Sequence, residues 1–252
     1  MAWTSPKTYV AGSIHTAAEL NIYERDNFIT IRAGGLAIVS QTALDFIYAS
    51  SSTQLARLSA IAGKFPRLNS AGNAWEMHYP TAGIHELFVL AAAFRPKVSG
   101  GPGGLEDVLL SSGRYISAMP FDGTTLEGAY IHFSFPKSWN KGNLTFQPYW
   151  FNTAGGSGAV VWSGSGVAAS DGDSLDAAVG TAQTSTDTVQ AAEVLCIGPE
   201  SSPITLAGSP LNDDDIRFEI ERTPAAGGDT YASDAFLFAV KWRFTTDNSD
   251  DA

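Results

Sequence analysis

Residues 216 to 222 read Ile-Arg-Phe-Glu-Ile-Glu-Arg, a strict alternation of apolar and charged side chains. A helix would scatter Ile216, Phe218 and Ile220 around its circumference. A strand gathers them on one face and places Arg217, Glu219 and Glu221 on the other. One face therefore meets a core and the other meets water. From Leu36 onward the same texture recurs, with short β-branched or aromatic runs cut by Gly, Ser, Asn, Asp and Pro clusters. It predicts strands at Leu36 to Val39, Asp45 to Ala49, Glu86 to Phe94, Ala129 to Phe135, Leu144 to Phe151, Ala159 to Trp162, Val194 to Ile197, Ile216 to Arg222 and Ala235 to Thr245. Strands without intervening helices must pack sheet on sheet. The expected fold is mainly β, an antiparallel sandwich whose long connections suit jelly-roll crossovers.

One helix is expected, near the start. Thr16-Ala17-Ala18-Glu19 has capping-box spacing, in which Thr16 accepts from the N–H of Glu19 while Glu19 reaches back to the N–H of Thr16. Leu20, Ile22, Tyr23 and Phe28 give the helix an apolar face too small to be a core, and Trp3, Pro6, Tyr9 and Val10 form an aromatic stretch ahead of it. Both need a partner surface. Gly34-Gly35 then breaks the chain, and the polar run Thr245 to Ala252 reads as a solvated tail.

Charge is distributed unevenly over the 252 residues. The formal net charge is −11, yet residues 1 to 76 are almost neutral, while residues 77 to 252 hold nine basic against 21 acidic side chains. No Lys or Arg occurs between Lys141 and Arg217. Nucleic-acid binding works by replacing counterions with Lys and Arg, so no nucleic-acid partner is expected. Cys196, alone in the chain and flanked by Leu195 and Ile197, reads as a small buried strand residue. No apolar run approaches the roughly 20 residues of a membrane span, and the N-terminus lacks the look of a signal peptide. The expectation is a soluble protein that inserts in no membrane and folds where it is made.

Catalytic patterns are weak. His15, His78, His85 and His132 lie on different elements without zincin spacing. Gly164-Ser165-Gly166 and Gly156-Ser157-Gly158 read as loops rather than nucleophile elbows. Glu219 and Glu221 share a strand face, but neighbouring Arg217 makes a salt-bridge lattice the ordinary reading over a glycosidase pair. Asp171, Asp173 and Asp176 open like a calcium loop, yet Ala182 stands where the bidentate Glu belongs, and Asp213-Asp214-Asp215 adds oxygens only if the fold joins the two loops. The expectation is no enzyme, no cofactor and no metal beyond this calcium candidate. Among Trp139, Tyr149, Trp150 and Trp162, the last two sit in apolar strands, whereas Trp139 in Lys137-Ser138-Trp139-Asn140 is the exposed aromatic expected to contact a glycan.

Three segments resemble bacteriophage fibre proteins. Trp3-Thr4-Ser5-Pro6-Lys7-Thr8-Tyr9-Val10-Ala11-Gly12, with Thr16 to Asn21 and Arg25-Asp26-Asn27, is similar to the N-terminal module of phage virion appendages, although Tyr9 stands where Trp is common. Asp45 to Leu58, Ala62 to Gly72 and Trp75-Glu76 resemble one unit of a fibre shaft, which in that family trimerises. Residues 77 to 252 resemble a C-terminal appendage domain through Phe121 to Glu127, Phe135 to Asn140, Asp171-Gly172-Asp173 and Thr245-Thr246-Asp247. The resemblance implies a virion protein made in the host cytoplasm, with residues 1–35 as anchor, 36–76 as a short collar and 77–252 as a display sandwich. It also implies a homotrimer contacting other virion proteins through Trp3, Pro6, Tyr9, Thr16, Glu19, Leu20, Tyr23 and Arg25. The display end would meet a host surface glycan. A capsid-attached head fibre or decoration protein, or a lectin-like carbohydrate-binding module, are the alternatives.

Overall fold

The computed structural model describes residues 14, 16–21, 45–49, 55–61, 64–69, 71–78, 82–224 and 226–247. The chain divides into two compact units, Met1–Pro80 and Thr81–Ala252.

In the first unit, helix α1 (Ala17–Leu20) begins directly after Thr16, at the position the capping box sets. Trp3, Pro6, Tyr9, Tyr23, Arg25 and the strand expected at Leu36 to Val39 lie outside the described residues. Two hairpins follow, β1 (Phe46–Ala49) with β2 (Leu55–Leu58), and β3 (Phe65–Leu68) with β4 (Trp75–His78). The β3–β4 turn is held by Asn69, whose Oδ1 accepts from the N–H of Asn73 at 3.1 Å, and it uses Gly72 at φ +68°. Phe46 and Trp75 join the hairpins at 5.1 Å between ring centroids, and Phe65 and Leu68 stay exposed.

The second unit contains β5 (Gly83–Leu90), β6 (Arg95–Pro96), β7 (Glu106–Leu109), β8 (Tyr115–Phe121), β9 (Glu127–Phe133), β10 (Thr145–Phe151), β11 (Ala159–Ala169), β12 (Gln183–Thr188), β13 (Cys196–Ile197), β14 (Asp215–Arg222) and β15 (Ala235–Thr246). The first sheet runs β13-β10-β15-β8-β7, with β5 alongside the later half of β15, and the second runs β12-β11-β14-β9-β6. All these pairings are antiparallel. From β8 to β15 the chain changes sheet at every connection except β11 to β12. That strand order is the jelly roll, as the sequence texture implied.

Aromatic rings fill the space between the sheets. Trp242 of β15 meets Phe218 of β14 at 3.7 Å, and Trp150 of β10 meets Trp162 of β11 at 6.3 Å. Burying each such side chain contributes roughly 1.5–3 kcal/mol. Cys196 is buried as expected, and burial pushes its thiol pKa up.

Three local expectations are corrected. Gly164-Ser165-Gly166 is the middle of β11, not a loop. A Cβ on Gly164 would lie 2.7 Å from Phe146 Cε1, and one on Gly166 2.7 Å from Leu206 Cδ2, so these glycines leave room for core side chains of neighbouring segments. Thr245 and Thr246 are not tail but the end of β15, where the N–H of Asn140 donates to the Thr245 carbonyl at 2.9 Å and Thr246 is buried. Trp139 is not an exposed aromatic. Its indole lies 4.5 Å from the Phe135 ring and is 3 % exposed, because Pro136 folds the loop back onto the core.

Candidate functional site

The outward alternation of β14 and β9 builds a polar surface on the second sheet. Register places Glu219 between Tyr130 of β9 and Ser165 of β11, and Arg217 between His132 and Val167. These positions form adjacent rows on one face. Gly128 interrupts the β9 row and leaves a trough. A Cβ there would fall 3.0 Å from the Lys97 stem and 3.1 Å from Glu221 Cγ. Lys97 lies along that trough and sets its ammonium 2.7 Å from both Glu219 Oε2 and Glu221 Oε1. Burial disfavours its charge, but hydrogen bonds to the two carboxylates outweigh that and hold its pKa above the ordinary lysine value.

Arg217 closes one side. Its Nη1 donates to the Leu175 carbonyl at 2.6 Å and its Nη2 to the Ala177 carbonyl at 2.5 Å, fastening the loop after β11 to the sheet face. His132 Nδ1 lies 2.7 Å from Asp215 Oδ2, leaving Nε2 as the ring nitrogen open to a ligand. The result is a cleft of about 410 Å³ lined by Lys97, Val98, Tyr130, His132, Leu175, Asp176, Arg217 and Glu219. Its volume falls within the range of small-molecule sites. The expected salt-bridge lattice around Glu219 and Glu221 is present, with Lys97 as its central cation.

The calcium candidates separate. Asp176 lines the cleft, while Asp173 Oδ2 accepts from the N–H of Ser170 at 3.0 Å. The fold does join this loop to Asp213-Asp214-Asp215, through Ser170 Oγ donating to Asp214 Oδ1 at 2.7 Å, and Asp214 Oδ2 accepts from the N–H of Leu211. Protein donors thus occupy these oxygens. Among the described residues no three His, Cys, Asp or Glu side chains are grouped to hold a metal ion. His85 stacks on Phe244, and His78 meets Phe65 edge-on, each within its own unit. No helix among the described residues is long and apolar enough to cross a membrane.

Sequence reasoning put Arg217 and Glu219 on one outward face as a salt-bridge lattice and Asp176 among the calcium candidates, but it named no cleft and did not bring in Lys97, Tyr130 or His132. Tyr130 and His132 alternate with Ala129, Ile131 and Phe133, the same period-two signal that marks β14. Lys97 is distant in sequence and carries no such signal.

Fold and surface together define a jelly-roll domain with a polar, ligand-sized cleft on one outer sheet face. No protein-family model matches the chain, and no curated protein matches it significantly. Solved structures match the chain at low similarity. A CBM36 domain of a multidomain xylanase from the hindgut metagenome of Trinervitermes trinervoides aligns at 12% identity and a TM-score of 0.30, over 63% of this chain and 96% of its own. A family 11 carbohydrate-binding module from Clostridium thermocellum, in complex with a β-1,3-1,4-mixed-linked tetrasaccharide, aligns at 10% identity and a TM-score of 0.28, over 65% and 88%. A protein of unknown function from Shewanella oneidensis MR-1 aligns at 11% identity and a TM-score of 0.23, over 96% and 99%.

Proposed function

We propose that this chain is a structural appendage of a phage particle, self-associating and non-enzymatic, whose N-terminal residues attach it and whose jelly roll binds a neutral glycan of the host surface. The cleft on the second sheet carries the binding part of this reading. Its polar groups suit sugar hydroxyls, with carboxylate acceptors on Glu219 and Asp176 and the Tyr130 hydroxyl and His132 ring beside them. Leu175 and Val98 offer apolar contact to the C–H faces of a pyranose. Its two cations, Lys97 and Arg217, are balanced by the two carboxylates of Glu219 and Glu221, with Arg217 Nε 3.4 Å from Glu219 Oε1. A sugar acid would find no uncommitted positive charge, and so the ligand is neutral. The same commitment argues against hydrolysis, since Lys97 holds both carboxylates that a glycosidase would need. The virion part is supported by the three fibre-like segments and by the exposed Phe65 and Leu68 of the first unit.

The test is a glycan array followed by calorimetry on the full chain. A neutral oligosaccharide should bind, and Tyr130→Ala should weaken it at least about tenfold with the unfolding temperature unchanged. Selective binding of sialylated or uronate glycans, or a Tyr130→Ala chain that binds as well as wild type, would overturn the cleft assignment. For attachment, removing residues 1–35 should abolish incorporation into particles. Incorporation at normal copy number would sink the anchor, and a monodisperse monomer that binds glycan would instead make the protein a lectin-like module.

A further inference from the structure

The opposite face of the sandwich has a different character. On β5 the outward positions are Ile84, Glu86, Phe88 and Leu90, three of them large and apolar, with Ile84 74 % exposed. Register continues the apolar row across the first sheet as Leu90, Ala239, Tyr149 and Ile197. Phe88 packs edge-on against Tyr149 at 5.0 Å and reaches Phe238 at 6.5 Å. Phe238 in turn lines a groove with Leu110, Ile116, Phe151, Glu193 and Leu195. A row of apolar groups on the water side of a sheet is the pattern of an interaction surface.

Charge identifies the partner. Residues 77 to 252 carry a net −12, yet the charges on this part of the sheet cancel. Glu86 pairs with Arg243 at 2.7 Å and Lys241 at 3.4 Å, and Glu200 pairs with Arg243. In the groove, Glu193 keeps its negative charge while accepting from the N–H and Oγ of Ser111, so the groove forms an acidic rim beside the neutral patch. A strongly cationic partner would favour the acidic remainder of the domain over this neutral patch. A second copy, itself acidic, can approach closely only where no uncompensated negative charge faces it. Three strands about 4.8 Å apart, β5, β15 and β10, paired over some seven or eight residues, give roughly 400 Å² of face, and the two-residue β13 adds a short edge. The apolar residues of the adjoining groove extend it toward the roughly 800 Å² per partner of a standard interface.

We infer that the outer face of β5, β15, β10 and β13, centred on Phe88, Leu90, Tyr149 and Ile197, is the contact between copies of this chain. The inference rests on the self-association proposed above and specifies its surface. The test compares maleimide labelling of full-length Phe88→Cys and Leu90→Cys with Thr184→Cys, an exposed position on the second sheet, while sedimentation equilibrium reports mass. Cys196 is buried and adds little background. In the oligomer, the two first-sheet cysteines should label at least about tenfold more slowly than Cys at 184, and dilution to monomer should restore their rates. An oligomer whose three sites label alike would overturn this interface while leaving self-association standing. A monomer at all concentrations would remove self-association itself. Slow labelling that persists in the diluted monomer would show that another part of the chain covers the face, and would also overturn the proposal.

Discussion

Arg222 shows how one residue can organise a region of this fold. The alternation that sends Arg217, Glu219 and Glu221 to the surface sends Arg222 inward, where it is fully buried. Its guanidinium makes five hydrogen bonds. Two go to Asp229, at 3.1 Å each, one to the Phe121 carbonyl at 3.0 Å, one to the Ser233 carbonyl at 2.7 Å and one to the Tyr231 carbonyl. Asp229 also accepts from the N–H of Val161 at 3.0 Å. One fork therefore ties β8, β11, β14 and the segment before β15 together, with every donor satisfied. Removing one partner leaves an uncompensated charge in the interior. Asp229→Ala should cost about 3–5 kcal/mol in urea unfolding. Glu221→Ala, which loses a partly solvated bond to Lys97, should cost about 1 kcal/mol or less. Equal costs would refute the organising role of the buried fork.

At the scale of the element, β11 shows where packing overrides propensity. It reads Ala-Val-Val-Trp-Ser-Gly-Ser-Gly-Val-Ala-Ala, and its Ser-Gly middle argues for a loop by composition alone. It is a strand because β12 and β14 flank it and because Phe146, Phe218 and Leu206 need the space that Cβ atoms at 164 and 166 would take. Gly164→Ala should therefore destabilise by about 1–3 kcal/mol through overpacking. Gly104→Ala, at a position with open space and no positive φ, should be near neutral by the same thermal or urea measurement. A neutral Gly164→Ala would show that Phe146 can move aside. The same logic explains what sequence could and could not reveal. Strands with their own apolar period, such as β9, β10, β14 and β15, were legible. β12 (Gln183–Thr188) has no apolar residue, so tertiary pairing with β11 alone defines it. The cleft was half legible for a related reason. Arg217 and Glu219 declare their face by alternation, whereas Lys97 becomes a site residue only because Gly128 lets its stem cross β9. Trp139 was misread because loop position suggested exposure, while contact with Phe135 decided burial.

For the whole molecule, the two outer faces of one sandwich divide two kinds of interaction. The second sheet presents matched charges and a cleft, and the first presents an apolar row with its few charges paired. Copies that meet through the first sheet must still bring two domains of net −12 close together, so long-range repulsion opposes a contact that is locally apolar. Salt should then strengthen the association. Raising ionic strength from about 0.01 M to about 1 M shrinks the Debye length from about 30 Å to about 3 Å, which removes most of the repulsion between exposed charges. It leaves burial of Phe88, Leu90 and Ile197 almost untouched. The dissociation constant from sedimentation equilibrium should fall by about tenfold or more over that range. An interface built on ion pairs between copies would show the opposite slope, because salt would screen the attraction itself. A dissociation constant that rises with salt would thus exclude the neutral face as the contact, even in a chain that forms a well-defined oligomer.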